Sequence, residues 1–406
     1  MLYGIDYLRT KLNQKKYRVR LRYQYYEMKQ AMRKISALIP PEFRSLTYSL
    51  GWCAKAVDTL ADRIVPDGFD HDTMQIGEIY RLNNEDVLYG SSVLSALISS
   101  CCFLYIGWNQ DGYPLLQVID GGNATGIIDP VTNLLTEGYA VLSYDEDGNP
   151  EQEAYFLPYQ TDYYTNGKLS DSVRHKAPYA LLAPVINRPD ARRPFGHSRI
   201  SRSCMDIIQS AQRTLQRTEV AAEFYSVPQK YIVGLSQEAE FNNRAATLSS
   251  FLNFSVDEDD KFPSLGQFQS GSIEPFLSQM KMLASLFAAE TGLTLDDLGF
   301  TTENPSSVDA IRASHENLRL TARRAQQTFG TGFVNAGFLA ACIRDNYSYE
   351  RSVFADTRCN YLPIFEPDSS MLGVLGDAIL KINQASDGFM GAKNIRALTG
   401  LRSDAE

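Results

Sequence analysis

The sequence predicts an α+β fold, and two patterns lead to that prediction. Between about residues 101 and 185, short apolar segments alternate with turn residues, which is typical of antiparallel strands. On both sides of this region apolar residues recur at helical spacing, which is typical of amphipathic helices. Strands grouped in one part of the chain and helices in the others favour α+β over an alternating arrangement. The 406 residues suffice for more than one hydrophobic core.

Composition narrows the class of protein. Hydrophobic residues make up 44% of the chain and charged residues 21%, as in ordinary folded proteins in water. No segment approaches the roughly 20 apolar residues of a membrane helix, so we expect no membrane partner. The chain starts without the basic-then-apolar pattern of a secretory signal, and secretion by that route is not expected. The net charge of −9 argues against tight wrapping of nucleic acid but permits DNA to slide past.

The sequence contains none of the common catalytic motifs. No Walker loop, Gly-x-Ser-x-Gly or His-Glu-x-x-His motif occurs. The cysteines show no Cys-x-x-Cys spacing and lie far from the histidines, which predicts buried free thiols rather than metal ligands. These cysteines are Cys53, Cys101, Cys102, Cys204, Cys342 and Cys359. We therefore predict no catalytic residue, no metal, no cofactor and no enzymatic activity.

The N-terminal segment is basic and rich in tyrosine, and Asp6 is its only acid before Glu27. Two interpretations stay open: an arm that binds phosphate or an acidic partner, or a solvated helix face with aromatic anchors. Further along, apolar residues at spacings of three and four predict an amphipathic helix over residues 45–64. The Pro-Asp-Gly sequence that starts at Pro66 is expected to end it.

The middle of the chain predicts hairpins followed by a helix. Residues 103–108 and 115–119 flank a turn, and residues 138–144 lead into an acidic turn at 145–150. A plain hairpin turn is favoured there over a calcium loop, because the downstream bidentate Glu is missing. Ser198 is the predicted N-cap of a helix about 40 Å long.

The second half of the chain predicts mainly helices. A compact insert, residues 229–272, separates that first helix from a second one over 273–291, which Gly292 ends. A polar loop then leads to a long helix over about 306–346, in which three glycines predict a kink. Two short helices are predicted after Pro367.

Several of these segments resemble the portal proteins of long-tailed double-stranded DNA bacteriophages. The stretch 292–315 resembles the family passage "G-L-P…L-G…N-P-S-S-A-x-A-I", although Thr294 stands where relatives often have Pro. Other matching pieces follow the family order along the chain. They are Tyr25-Tyr26, Val57-Asp58 with Ala61 and Arg63, Gly68-Phe69, Asn187-Arg188, and Gly196 with Ser198 and Ile200.

The resemblance implies a phage-portal fold with named parts. These are an α/β wing (1–198), two stem helices (199–226 and 273–291), a clip (227–272), a tunnel loop (292–305), a long kinked wing helix and return (306–365), and a short helical crown (366–406). It also implies a ring, usually of twelve subunits, at one vertex of the virion capsid. A separate terminase motor, whose large subunit would bind the ring, would pump double-stranded DNA through the channel. The major capsid protein, a scaffolding protein and a head-completion adaptor are further implied partners, and assembly would occur in the host cytoplasm.

The same resemblance assigns roles to three groups of residues. The polar side of the second stem helix would line the channel, the tunnel loop would approach DNA, and an acidic cluster in the clip would bind partners. The groups are Glu274, Ser278, Lys281 and Ser285; Thr301, Thr302, Glu303 and Asn304; and Asp257, Glu258, Asp259 and Asp260.

Two other functions stay open. One is a Mg²⁺-dependent enzyme acting on nucleic acid, which would use clustered carboxylates such as Asp257–Asp260 or Asp296-Asp297. The other is a non-viral oligomeric scaffold protein. Incubation with DNA and Mg²⁺ tests the first, and particle size separates the second from a large ring.

Overall fold

The computed structural model describes residues 2–32, 39, 41–226, 230–233, 264–267, 271–300, 313–365, 367 and 369–401. Both helices and sheets are present, so the predicted α+β class is confirmed. The chain divides into two compact units. One comprises Met1–Gln30, Gly51–Met205 and Ala288–Glu406, and the other comprises Ala31–Leu50 and Asp206–Phe287.

The helices of the described residues lie mainly outside the strand-rich middle of the chain. They are α1 (Ile5–Tyr26), α2 (Trp52–Ala61), α3 (Ile76–Leu82), α4 (Glu85–Ser99), α5 (Arg202–Ser226), α6 (Glu274–Thr291), α7 (Glu316–Arg344), α8 (Ser369–Ala385) and α9 (Ala392–Thr399). Short 3-10 turns occur at Pro41–Phe43, Asp296–Leu298 and Arg351–Phe354.

Most strands of the described residues lie where the alternating pattern predicted them. The strands are β1 (Pro66–Asp70), β2 (Cys101–Trp108), β3 (Pro114–Asp120), β4 (Ala124–Ile128), β5 (Leu135–Tyr144), β6 (Pro150–Leu157), β7 (Gln160–Thr165), β8 (Lys168–Arg174), β9 (Leu182–Ile186), β10 (Lys230–Val233), β11 (Ser264–Gln267) and β12 (Arg358–Tyr361). Strands β2 to β9 lie in the predicted region, and the four others lie outside it. Strands β4 to β8 form an antiparallel sheet in chain order, and β3, β2 and β9 form a second one. Two-stranded ribbons pair β1 with β12 and β10 with β11.

The predicted hairpins are confirmed. Strands β2 and β3 pair antiparallel, with Phe103 opposite Ile119. Strands β5 and β6 pair across the acidic turn, where Gly148 has a φ of 80° and Asn149 donates its backbone N–H to Asp145 Oδ1 at 2.7 Å. A positive φ favours glycine, so this position explains the Asp-Gly-Asn sequence of the turn.

The basic N-terminal segment forms helix α1, which packs on the larger sheet. Leu8 and Leu12 join a buried cluster with Tyr139, Val141 and Tyr155. Arg9 forms an ion pair with Glu153 at 2.6 Å, and the Lys11 ammonium donates to the carbonyl of Gly126 at 2.8 Å. Much of the positive charge is therefore used within the molecule, which supports the anchored-helix interpretation over the arm.

Three local predictions are wrong in detail. The helix expected over 45–64 is confined to α2, and the Pro66 segment that follows is a strand. Ser198 does not cap α5. The helix starts four residues later, and Ser201 Oγ accepts the backbone N–H of Cys204 at 3.2 Å. Ser198 instead donates its hydroxyl to the carbonyl of Ile98 at 2.6 Å, a partner 100 residues earlier in the chain.

Helix α7 continues through the glycines at which a kink was predicted. A Cβ on Gly332 would lie 2.8 Å from the carbonyl oxygen of Pro184, and one on Gly337 would lie 2.7 Å from Ile76 Cδ1. These glycines therefore allow α7 to approach β9 and α3 closely, which is a packing reason for glycine in a helix interior. The described helix has 29 residues, or about 43 Å, and residues 306–312 lie outside the described part of the chain.

The two predicted C-terminal helices are confirmed as α8 and α9. Arg396 of α9 pairs with Asp67 of β1 at 3.0 Å, which attaches α9 to the β1–β12 ribbon. Along α8, none of the side chains at positions 371–385 is buried in the single chain. An amphipathic helix whose apolar side chains remain exposed is suited to contact with another protein.

Candidate functional site

Helix α6 has the two opposite faces that its sequence predicts. Met280, Leu283 and Phe287 are buried, whereas all four polar residues of the predicted channel lining are exposed. Those four are Glu274, Ser278, Lys281 and Ser285. Helical spacing of three and four places them on one stripe, away from the buried residues.

The polar stripe has little capacity for tight phosphate binding. It combines one acid, one base and two hydroxyls, so its formal charge is zero. The Ser285 hydroxyl is already used, since it donates to the carbonyl of Lys281 at 2.9 Å. Strong binding of a nucleic acid needs several cations on phosphates. The stripe therefore suits brief, hydrated contact with a polyanion.

A row of exposed apolar side chains flanks the polar stripe, and sequence reasoning missed it. Met282 and Leu286 lie one turn apart with 53% and 51% of their surfaces exposed. Exposed apolar surface of this kind commonly marks a protein contact. The signal in the sequence was an apolar content of α6 larger than one buried face requires.

Helix α6 is followed by a hydrogen-bonded turn. Gly292 has a φ of 69° and donates its backbone N–H to the carbonyl of Ala288 at 2.7 Å. Thr294 and Asp297 then cap each other: Asp297 Oδ2 accepts the Thr294 N–H at 2.9 Å, and Thr294 Oγ1 accepts the Asp297 N–H at 3.2 Å. This is a capping box with Asp in the usual Glu position. The first nine residues of the predicted loop are thus a folded turn, and the Thr-x-x-Asp spacing was its signal.

The two described ends of the loop lie close together. His315, at the start of α7, has its Nδ1 atom 3.8 Å from Asp297 Oδ2. On the same turn, Leu293 and Leu298 are buried, and the Phe300 ring meets Trp52 edge-on at 6.5 Å between centroids. The chain between positions 300 and 313 therefore leaves from and returns to one anchored place.

Arg199 holds the C-terminal end of α6. Its guanidinium is buried and donates to the carbonyl of Thr291, the last residue of that helix, and to the carbonyl of Ala56 at 3.3 Å. Burial lowers the pKa of Arg199 to about 10, so the group remains a cation at neutral pH. A cation at a helix C-terminus interacts favourably with the helix dipole.

We expect Arg199→Met to destabilise the protein by about 2 kcal/mol or more, because two buried carbonyls lose their donor. Urea unfolding would measure the change. Arg202→Met at the exposed start of α5 is the matched control and should change stability by less than about 0.5 kcal/mol. Equal effects of the two substitutions would contradict the capping role of Arg199.

The other predicted site residues lie outside the described part of the chain. They are Thr301, Thr302, Glu303 and Asn304 of the loop, and Asp257, Glu258, Asp259 and Asp260 of the insert. Of the three predicted groups of site residues, the structure therefore describes only the group on α6, whose four residues lie on one face of that helix.

Two features of the described residues bear on other functions. These residues contain no group of three or more His, Cys, Asp or Glu placed to hold a metal ion. Within the same residues, no helix has the length and apolarity needed to cross a membrane. All six cysteines are free thiols, five of them buried, as their spacing predicted.

Comparison with known proteins identifies similar sequences. The chain is 25% identical over 334 residues to the portal protein of Mycobacterium phage L5, covering 77% of this chain and 68% of that protein. It is 25% identical over 338 residues to the portal protein of Mycobacterium phage D29, covering 78% and 69%. A chain in the virion of a native gene transfer agent particle is 13% identical, with a TM-score of 0.49 over 95% of this chain and 99% of that one. No family model matches. The two phage proteins confirm the predicted resemblance.

Proposed function

We propose that this chain, a relative of the portal proteins of tailed bacteriophages, is the subunit of a ring-shaped portal in a virion. The ring would be the channel for DNA entry and exit, and it would connect the head to the tail. The observation that supports this most is the similarity to two portal proteins over more than three quarters of the chain. The role is structural rather than enzymatic.

The finer architecture is part of the proposal. The sheets, α1 to α4 and α7 would form the wing, α5 and α6 the stem, residues 227–272 the clip, and α8 with α9 the crown. The folded turn through Phe300 would form the first part of the tunnel loop. The exposed apolar side chains of α6 and α8 fit this proposal, since neighbouring subunits of a ring would cover them.

The polar stripe of α6 would face the channel. Its small hydroxyls and its balanced pair of charges would keep DNA hydrated and mobile rather than bound. The apolar residues Met280, Leu283 and Phe287 would stay in the protein interior. A ring structure with Lys281 on the outer surface would disprove this orientation.

The clip would lie outside the capsid and bind the terminase large subunit and then a head-completion adaptor. Asp257–Asp260 would meet basic residues of those partners. We expect that replacing residues 234–263 with a short Gly-Ser linker abolishes co-purification with the terminase large subunit. Replacing only the four acids with Asn and Gln should weaken it. Normal terminase binding by the deletion variant would contradict the clip assignment.

Ring formation is the direct test of the proposed function. Native mass spectrometry should find a species of about a dozen copies, and electron micrographs should show rings with a central channel, as closed cyclic symmetry requires. A chain that remains monomeric at every protein and salt concentration would exclude the proposal.

The two alternatives are not favoured by the relatives, since both similar phage proteins are portal proteins. Cleavage of DNA in the presence of Mg²⁺, lost on replacing Asp296 and Asp297, would revive the enzyme hypothesis. A small oligomer found without phage components would support the scaffold hypothesis.

A further inference from the structure

A basic cleft lies between α7 and the segment that leads into β12. It has a volume of about 520 Å³, and three of its lining residues are Arg323, Arg351 and Arg358. No acidic residue is among the described residues that line it. Its floor is apolar, because Val334 and Phe354 are 8% and 3% exposed. An apolar floor with a cationic rim fits an apolar side chain that has carboxylates beside it.

Two of the three arginines are held in place by hydrogen bonds to uncharged groups. Arg351 donates to Asn335 Oδ1 at 2.8 Å, and Arg358 donates to the carbonyls of Ala355 and Thr357 at 2.6 and 2.9 Å. Arg323 is exposed on α7. Within the described part of the chain, no carboxylate lies within 4.0 Å of any of the three guanidinium groups. In a chain of net charge −9, such a surface attracts acidic groups.

The first turn of α4 has the complementary composition. Val87 projects from it with 72% of its surface exposed, and Glu85 and Asp86 precede it. Two acids at a helix N-terminus are favoured by the helix dipole, so this negative charge is stably placed. The turn presents one strongly exposed apolar side chain, and its charge is opposite to that of the cleft.

The acidic turn and the basic cleft border two different concave surfaces near the β1–β12 ribbon. Glu85 borders one of them with Asn360 and Leu362, whereas Thr357, Arg358 and Cys359 border the basic cleft. Among the described residues, Tyr361 is the one that borders both. Within one copy, the acidic turn is therefore not among the residues that line the basic cleft.

We propose that the first turn of α4 in one copy of this chain inserts into the basic cleft of the next copy. This inference rests on the proposed ring and names one of its contacts. A cyclic ring of more than two subunits needs two different, mutually complementary surfaces on each subunit, and these two surfaces meet that requirement. Val87 would contact the apolar floor, and Glu85 and Asp86 would meet the three arginines.

Reversing the charges of the cleft and of the α4 turn tests the proposed contact between copies. A cleft variant with Arg323→Glu and Arg358→Glu, and a turn variant with Glu85→Arg and Asp86→Arg, should each raise the subunit concentration needed for ring formation roughly tenfold or more. An equimolar mixture of the two variants should recover rings with alternating subunits, because every contact then joins opposite charges. Arg18→Glu with Arg20→Glu on the exposed face of α1 is the control for net charge and should form rings normally.

A second measurement does not depend on charge reversal. In a Val87→Cys, Thr331→Cys variant that also carries Cys359→Ser, a short bismaleimide should link neighbouring copies into a covalent ladder, while either single cysteine variant in the same Cys359→Ser background should give no ladder. Normal ring formation by both charge variants, together with absence of the ladder, would overturn this inference and leave the portal function standing. Absence of rings in the unmodified protein would instead refute the proposed function itself.

Discussion

Rings in which Thr301 and Thr302 are both replaced by Trp are expected to assemble normally but to package DNA roughly tenfold more slowly, or worse. The described ends of this loop are anchored by the Thr294–Asp297 cap and by the approach of Asp297 to His315. We infer that this loop lies in the channel of the proposed ring, as the resemblance implies. There, a steric overlap of about 1–3 kcal/mol with DNA would slow each translocation step at least several-fold.

The measurement is the amount of DNase-protected DNA per particle over time. Thr301→Ser with Thr302→Ser keeps the hydroxyls and should package normally. Thr10→Trp with Gln14→Trp, on the exposed face of α1, controls for the added aromatic surface. If the Trp variant of the loop fills heads at the normal rate, the loop is only a connector and its proposed role in the channel is wrong.

Glu153→Ala is expected to give the largest loss of stability, about 3–5 kcal/mol, because it removes the buried partner of a partly buried guanidinium and leaves it only the exposed Asp6 carboxylate. Glu153 is 4% exposed and accepts two hydrogen bonds from Arg9, at 3.0 and 2.6 Å. It also accepts the hydroxyl of buried Tyr139. Hydrogen bonding to Glu153 raises the pKa of Arg9, so the guanidinium is charged at neutral pH. The substitution removes the main polar tie between α1 and the sheet.

Urea unfolding followed by tyrosine fluorescence would measure this loss. Glu151→Ala, two residues earlier on β6, should cost less than about 0.5 kcal/mol. A double-mutant cycle with Arg9→Met separates the Arg9–Glu153 coupling from the loss of the Tyr139 hydrogen bond. A coupling below about 0.5 kcal/mol would show that α1 is held by Leu8 and Leu12 rather than by the ion pair.

The sequence predicted which residues of α6 form the candidate site, but it did not predict the folded turn after α6 or the contact of Arg199 with that helix. Apolar residues at helical spacing predicted α6 to within one residue, and they separated Met280, Leu283 and Phe287 from the polar stripe. The folded turn after α6 was missed, because a polar sequence with glycines at both ends suggested an open loop. Arg199 was also missed, since its partner Thr291 lies 92 residues away and no local pattern links them.

The basic N-terminal segment shows what composition leaves open. Its run of lysines and arginines was compatible with an arm that binds phosphate or with a helix face with aromatic anchors. In the structure, Arg9, Lys11 and Arg22 hydrogen-bond to the protein itself. The Lys15 ammonium lies over the ring of Phe103 at 5.2 Å, and burial lowers its pKa. The sequence alone does not show whether a charged side chain points towards solvent or towards the protein. That orientation depends on what the helix packs against.

By itself, the sequence determined the α+β class, the hairpins, the two faces of α6, the C-terminal helices and the resemblance to portal proteins. Each of these follows from residue spacing or from a sequence motif within a few dozen residues. Only the tertiary structure decided the β1–β12 ribbon, in which Pro66 pairs with Tyr361, and the close contact of Gly332 with Pro184. It also decided which cations face the protein interior and which remain exposed. These features join residues far apart in the chain, and such pairings depend on how the whole core packs rather than on any local period.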